Sequence, residues 1–120
     1  MHELAVAEAI ASAVEERAAA LGSTRVKGVR LRIGDASGVV TDSLTFCFEM
    51  VAAQSPLLAG ACLSIERVPH TAWCAGCEQA FDVRDFVTQC PGCGVWSNEV
   101  LSGHELQLLE MEIETREETG

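Results

Sequence analysis

Two Cys-x-x-Cys pairs, Cys74-Ala75-Gly76-Cys77 and Cys90-Pro91-Gly92-Cys93, stand twelve residues apart and constrain this chain more than any other feature. Two tight turns at that spacing approach each other and present four sulfurs tetrahedrally, the arrangement Zn²⁺ takes with thiolates at about 2.3 Å, with no position left open. Gly76, Gly92 and Gly94 are expected to supply the positive φ and close backbone approach of such turns. The surrounding stretch, 70–103, holds four Cys, two Trp and two Phe with little regular periodicity. It reads as a module organised by a metal in place of an apolar core.

Three other readings of the cysteines are weaker. WCAGC resembles a thioredoxin-like redox motif, but that motif opens a helix, and CPGC would be left unexplained. CPGCG resembles an iron knuckle of rubredoxin, yet Glu78 follows the first pair where that knuckle carries Gly. A nucleic-acid-binding zinc ribbon requires a basic track. Between residues 71 and 103 the charges are Arg84 against Glu78, Asp82, Asp85 and Glu99, a net of −3 before a dianionic Zn(Cys)₄ centre is added. The expected metal is therefore structural zinc.

The whole-chain balance agrees. Eight Lys and Arg against eighteen Asp and Glu give a net charge of −10, a field that repels nucleic acid and anionic lipid. The N-terminus lacks a basic stretch leading into an apolar run, and no window approaches the roughly 18–20 apolar residues of a membrane span. The chain is expected in the cytosol, where thiols serve as ligands, nucleophiles or core residues more often than as disulfides. No P-loop, GxGxxG or Ser/His/Asp set is present, so no independent catalysis is expected.

Around the module the periodicities are ordinary. Leu4, Ala7, Ile10 (or Ala11), Val14, Ala18 and Leu21 mark an amphipathic helix that Gly22 stops. VKGVRLRIG alternates as a half-buried strand, with Val29, Leu31 and Ile33 on one face. Thr41 or Asp42 is expected to cap a second helix carrying Leu44, Cys47, Phe48 and Val51 on one face. ACLSIERV reads as a second strand, closed by Pro69. HELQLLEMEIE reads as a last one, its phase shifted by a β-bulge near Leu108. The tail TREETG is expected to fray. The expected fold is α+β: a small mixed sheet with two helices, plus an inserted zinc-ribbon subdomain. The expected domains are 1–69 with 104–120, discontinuous in sequence, and 70–103. Cys47 and Cys62 are read as small core residues, Trp73 and Trp96 as covers of the zinc module, and His104 as surface. His70 is read as a polar linker residue, or as one that trades with a cysteine ligand when pH falls.

His2, at the start of the first helix, is the remaining feature. A histidine near a terminus is ordinarily solvated or capping. Here the Met1 amine, the His2 backbone nitrogen and His2 Nδ1 would close a five- and a six-membered chelate ring, a nitrogen set suited to square-planar Ni²⁺ or Cu²⁺. The first helical amides have no intrahelical acceptor, so a metal displaces their protons without breaking a ladder bond.

MHE at the start, VRLRIGDASGVVTDSLTFCFE, the CxxC…CPGCG module and SGHEL before the last strand together resemble the HypA/HybF family of nickel-insertion accessory proteins of [NiFe]-hydrogenase maturation. The resemblance covers nearly the whole chain. It implies a nickel metallochaperone in which His2 ligates nickel, Glu3 assists, and Cys74, Cys77, Cys90 and Cys93 hold structural zinc. It implies as partners a nickel-loading GTPase and the hydrogenase large-subunit precursor, with the chaperone a monomer or weak homodimer. A further acidic ligand from the loop after the first strand falls at Val40 or Asp42 and is left unassigned. The alternative function is a zinc-ribbon protein-interaction adaptor without nickel transfer.

Overall fold

A computed structural model of the chain describes residues 2–115. The Met1 amine and the tail beyond Thr115 lie outside the described residues. The order is α1 (Glu3–Ala20), β1 (Ser23–Gly34), α2 (Thr41–Ala53), β2 (Cys62–Val68), β3 (Thr71–Cys74), β4 (Gln79–Asp82), β5 (Val100–Ser102) and β6 (Leu106–Thr115). The chain divides into two compact units. One comprises Met1–Leu31, Val39–Glu66 and Leu108–Gly120, and the other Arg32–Gly38 and Arg67–Gln107.

Three strands form a sheet in the order β2-β1-β6. Gly28 faces the carbonyl of Cys62, and Asp35 N–H reaches the carbonyl of Val68, so β1 and β2 run parallel. The Ser23 hydroxyl meets the carbonyl of Glu114, whereas Gly34 N–H meets that of Glu105, so β6 runs antiparallel to β1. The sheet is mixed, as expected, and α2 is the crossover that a parallel pair requires.

In the first unit α1 and α2 pack against each other. The core is built from Ala7, Ala11, Val14 and Ala18 of α1, Leu44, Phe48 and Ala52 of α2, and Val26, Val29 and Leu31 of β1. The expected stripe of α1 holds in its middle, where Ala11 and not Ile10 is fully buried, and fails at its ends. Leu4, in the first turn, and Leu21, the C-cap, are both exposed. The opposite sheet face carries ion pairs: Arg30 with Glu66 (3.0 Å) and Glu110 (3.3 Å), and Lys27 with Glu112 and Glu114. These are exposed and contribute about 0–1 kcal/mol each. On β6, Leu108 and Leu109 are both half-buried, which marks the change of phase read from the sequence.

The second unit has its own sheet, β4-β3-β5, with β3 antiparallel to both neighbours. Register runs from Thr71 opposite Asp82 to Cys74 opposite Gln79. This stretch shows little periodicity in its sequence, because strands of three and four residues are too short to display a period. The end of β1 enters this unit: Gly34 N–H bonds the Glu105 carbonyl, Ala36 N–H that of Gly103, and the Glu105 carboxylate accepts Gly103 N–H at 2.8 Å. Gly34 packs so closely on Gly103 that a Cβ there would overlap the Gly103 carbonyl.

Gly34→Ala should therefore cost about 1–3 kcal/mol or more by overpacking against backbone that cannot rotate away. Thermal unfolding of the zinc-loaded protein checks this; an unchanged Tm would contradict the packing.

Candidate metal centre

The four cysteine sulfurs lie within 4.8 Å of one another. Cys74 Sγ to Cys93 Sγ is 3.4 Å and Cys77 Sγ to Cys90 Sγ is 3.9 Å. These separations are far beyond the S–S bond of about 2.05 Å, and all six cysteines are free. They match the edge of about 3.8 Å of a tetrahedron whose centre lies about 2.3 Å from each sulfur. The cluster fits structural zinc. Among the described residues it is the one group of three or more metal-type side chains so close together.

Two short turns place the sulfurs. At the first, the end of β3 delivers Cys74, and Cys77 N–H points at its sulfur (3.4 Å). At the second, Cys90 N–H bonds the Val95 carbonyl and Gly94 N–H the Cys90 carbonyl, both at 2.8 Å, while the Gln89 amide donates to the Gly94 carbonyl. Ser97 hydroxyl on the Trp73 carbonyl ties the strand carrying Cys74 to the segment after the second turn. Cys74 and Cys90 are buried, Cys77 half-buried and Cys93 exposed.

The residue after each pair must be left-handed. Gly94 has φ +79° and Glu78 φ +53°, so Glu78 occupies without a glycine the position Gly94 fills freely. Gly76 and Gly92, expected at positive φ, are not among the left-handed residues. A methyl at Gly76 would stand 3.5 Å from Cys93 Sγ, ordinary contact, so their smallness is not forced by backbone conformation.

Four thiols this close cannot all ionise unaided. Backbone N–H groups of Cys93, first, and Gly92 draw the Cys90 thiol down to about 7, despite its burial. Cys77 is pushed up to about 12, first by its hydrogen bond with Cys93 and then by those with Cys90 and Cys74. A divalent cation removes this conflict, because it stabilises the thiolate form of all four.

At the other candidate centre, His2 is the exposed N-cap of α1, in extended conformation, and its side chain makes no cap bond. Its carbonyl accepts Val6 N–H. Glu3 Oε2 accepts the N–H of Val40 at 3.1 Å. Val40, not Thr41 or Asp42, is the N-cap of α2, and no side chain of its own caps that helix. Thr41 and Asp42 lie in the first turn instead, and the carboxylate of Glu3 arrives from another helix to hold the N-cap amide. Val40, an exposed apolar side chain, offers no ligand atom; Asp42 is an exposed carboxylate.

Several secondary expectations change. Cys62 is exposed, because its side chain falls on the outer phase of β2, whereas Cys47 is half-buried. Trp73 is half-buried within β3, but Trp96 is 64% exposed and does not cover the module. His104 is exposed as expected. His70 is no plain linker: its ring stands edge-on to Phe86 (5.6 Å) and His104 (5.2 Å), and its buried Nε2 has no hydrogen-bond partner.

Three outcomes follow from this geometry. Cys74→Ala, Cys93→Ala or a strong zinc chelator should remove the metal and with it the ordered β3–β5 sheet, read by metal analysis and by loss of Trp73 and Ala72 amide dispersion. Gly94→Ala should destabilise the module by about 1–2 kcal/mol, whereas Glu78→Gly should stabilise it by up to about 1 kcal/mol, in chemical denaturation. Val40 N–H holds the Glu3 carboxyl below its ordinary value of 4.5. A depressed carboxylate contributes stability that is present above its unfolded pKa and is lost as pH falls through the folded one. In the metal-free N-terminus the Val40 amide signal should shift with a midpoint below 4.5; a midpoint above that value would exclude the bond.

The chain matches the family model described as hydrogenase/urease nickel incorporation, metallochaperone, hypA, over residues 1–113. It is 43% identical over 114 residues to the hydrogenase maturation factor HypA of Geobacter metallireducens, covering 95% of this chain and all of that protein. It is 44% identical, over the same shares, to the HypA of Azotobacter chroococcum. Its fold matches the solution structure of the Ni metallochaperone HypA from Helicobacter pylori with TM-score 0.67 at 24% identity, covering 97% of this chain and 100% of that one. Four clustered thiols, a mixed sheet with two helices, and matches over this much of the sequence give one conclusion: the chain belongs to the HypA family of nickel-incorporation metallochaperones.

Proposed function

We propose that this protein binds Ni(II) at its N-terminus and delivers it to the [NiFe]-hydrogenase large-subunit precursor in the cytosol, acting as a carrier and not as an enzyme. The observation that carries the reading is the free state of His2 at the head of α1. Its side chain makes no cap bond and is exposed, so the imidazole is open to a metal ion, beside a carboxylate anchored on Val40. The ligands are the Met1 amine, the His2 backbone nitrogen and His2 Nδ1. Glu3 assists by keeping negative charge next to the cation and by tying the head of α1 to that of α2. The nickel-binding domain is 1–69 with 104–120, and residues 70–103 form the zinc-binding domain.

Such a site releases its cargo for the reason it captures it. His2 is exposed and outside the core, so exchange to an acceptor requires no unfolding. The zinc cluster, held by two turns and half buried, is the opposite case. A maturation GTPase and the large-subunit precursor are the proposed partners.

Isothermal titration with Ni²⁺ tests the chelate. His2→Ala should abolish binding, and His2→Gln should do nearly the same, because an amide oxygen is a poorer ligand than imidazole for this ion. Glu3→Gln should weaken it roughly 10–100-fold, as loss of a supporting group does. One Gly added before Met1 should also weaken it although every side chain remains, and acidification should reduce affinity because protons compete for the ligands. Zinc content should stay constant throughout. Equal affinity with the added Gly would remove the amine from the ligand set, and nickel binding unaffected by His2→Ala would remove the site.

A further inference from the structure

The β2 strand has β1 on one side and, among the described residues, no strand on the other. The carbonyls of Cys62 and Val68 both face β1, and they are an even number of residues apart. Backbone groups alternate sides along a strand, so Leu63 and Ile65 turn their N–H and C=O to the open edge. From Cys62 to Ile65 the strand carries no charge and no proline, the usual protections of an exposed edge.

Beside that edge runs a groove of about 390 Å³ between the second half of α2 and the start of β2, lined by Glu49, Ala52, Gly60, Ala61, Cys62 and Leu63. Leu63 and Ile65 lie on the core-facing phase of β2 yet remain only half-buried. The outer side of α2 adds Phe46, 62% exposed, and Met50, 46% exposed. Unpaired backbone groups and uncovered apolar side chains thus occur side by side, which is what an added strand satisfies and a rigid globular surface does not. Glu49, on the groove wall, makes no ion pair among the described residues.

We infer that the β2 edge and the adjoining α2 groove form a docking site for an extended segment of another protein, one that carries apolar residues and one Lys or Arg on the same face. Its backbone pairs with Leu63 and Ile65, its apolar side chains on the α2 side cover Leu63 and Ile65, and a Lys or Arg on that same side reaches Glu49. A second copy of this chain is the poorer occupant, because each copy carries a net charge of −10 and would bring its own Glu49 to the contact.

The test uses the full-length zinc-loaded protein and three blocked heptapeptides: a Lys/Val peptide with Val, Val and Lys on one face and Ser at the intervening positions, the same peptide N-methylated on alternate amides, and a Glu/Val peptide with Glu in place of that Lys. The Lys/Val peptide should shift the amide signals of Leu63, Ile65 and α2 and slow exchange at Leu63 and Ile65. N-methylation should weaken binding about tenfold or more, because it deletes the backbone donors. Glu49→Lys should weaken the Lys/Val peptide and reverse the preference toward the Glu/Val one. Equal binding of the methylated peptide, a footprint away from β2, no binding up to millimolar peptide, or an unchanged preference in Glu49→Lys would each overturn the inference. So would a sedimentation mass of a dimer with Leu63 and Ile65 already protected, since the occupant would then be a second copy.

Discussion

Four sulfurs within 4.8 Å of each other are the constraint on which the second unit depends. Without a cation the cluster is frustrated: one thiol is pulled toward ionisation by backbone N–H groups while its neighbour is driven the other way. The apolar residues that are fully buried in this unit are few and mostly small, Ile33, Ala36, Ala72 and Val83 beside Cys74 and Cys90. Burial on that scale does not offset the ordering of three short strands and two turns. A structural zinc, with an apparent binding free energy on the order of 10–16 kcal/mol in small zinc domains, supplies what the core lacks. The left-handed Glu78 is tolerable for the same reason: strain of about 1–2 kcal/mol is small against metal coordination.

Sequence legibility followed the range of the interaction. The four ligands, the helix around Val14, the strand around Leu31 and the core pair Leu44 and Phe48 were all readable, because spacing and periodicity are local properties. Even the awkward phase at Leu108 and Leu109 was visible as a break in alternation. What escaped was non-local. Thr41 and Asp42 are good N-cap residues, yet the amide of Val40 is held by Glu3, thirty-seven positions away. Nothing local announces that bond. It reproduces the half of a capping box in which a carboxylate holds the N-cap N–H, with the carboxylate drawn from a different helix.

Exposure was the second illegible quantity. Cys62 and Trp96 are residue types that favour the interior, and both proved exposed, Cys62 because it falls on the outer phase of β2. His70 failed in the other direction. A polar residue between two strands reads as a linker, but Gly103 lets the chain pack directly on it, and its ring contacts both Phe86 and His104. Each miss concerns where a neighbouring segment lies, which the residue's own sequence environment does not encode.

Charge connects the fold to its work. The outer face of the first unit's sheet pairs Arg30 of the central strand with acids of both edge strands and Lys27 with two acids of β6, so these cations are neutralised in place. The excess of acid over base is then left for the rest of the surface, in a chain of net charge −10. A field of that sign draws a small divalent cation toward the protein and repels polyanions, and it favours partners presenting Lys and Arg. Both effects weaken with ionic strength over a Debye length of about 8 Å at physiological salt. Attraction of this kind raises encounter rate without fixing the ion in place.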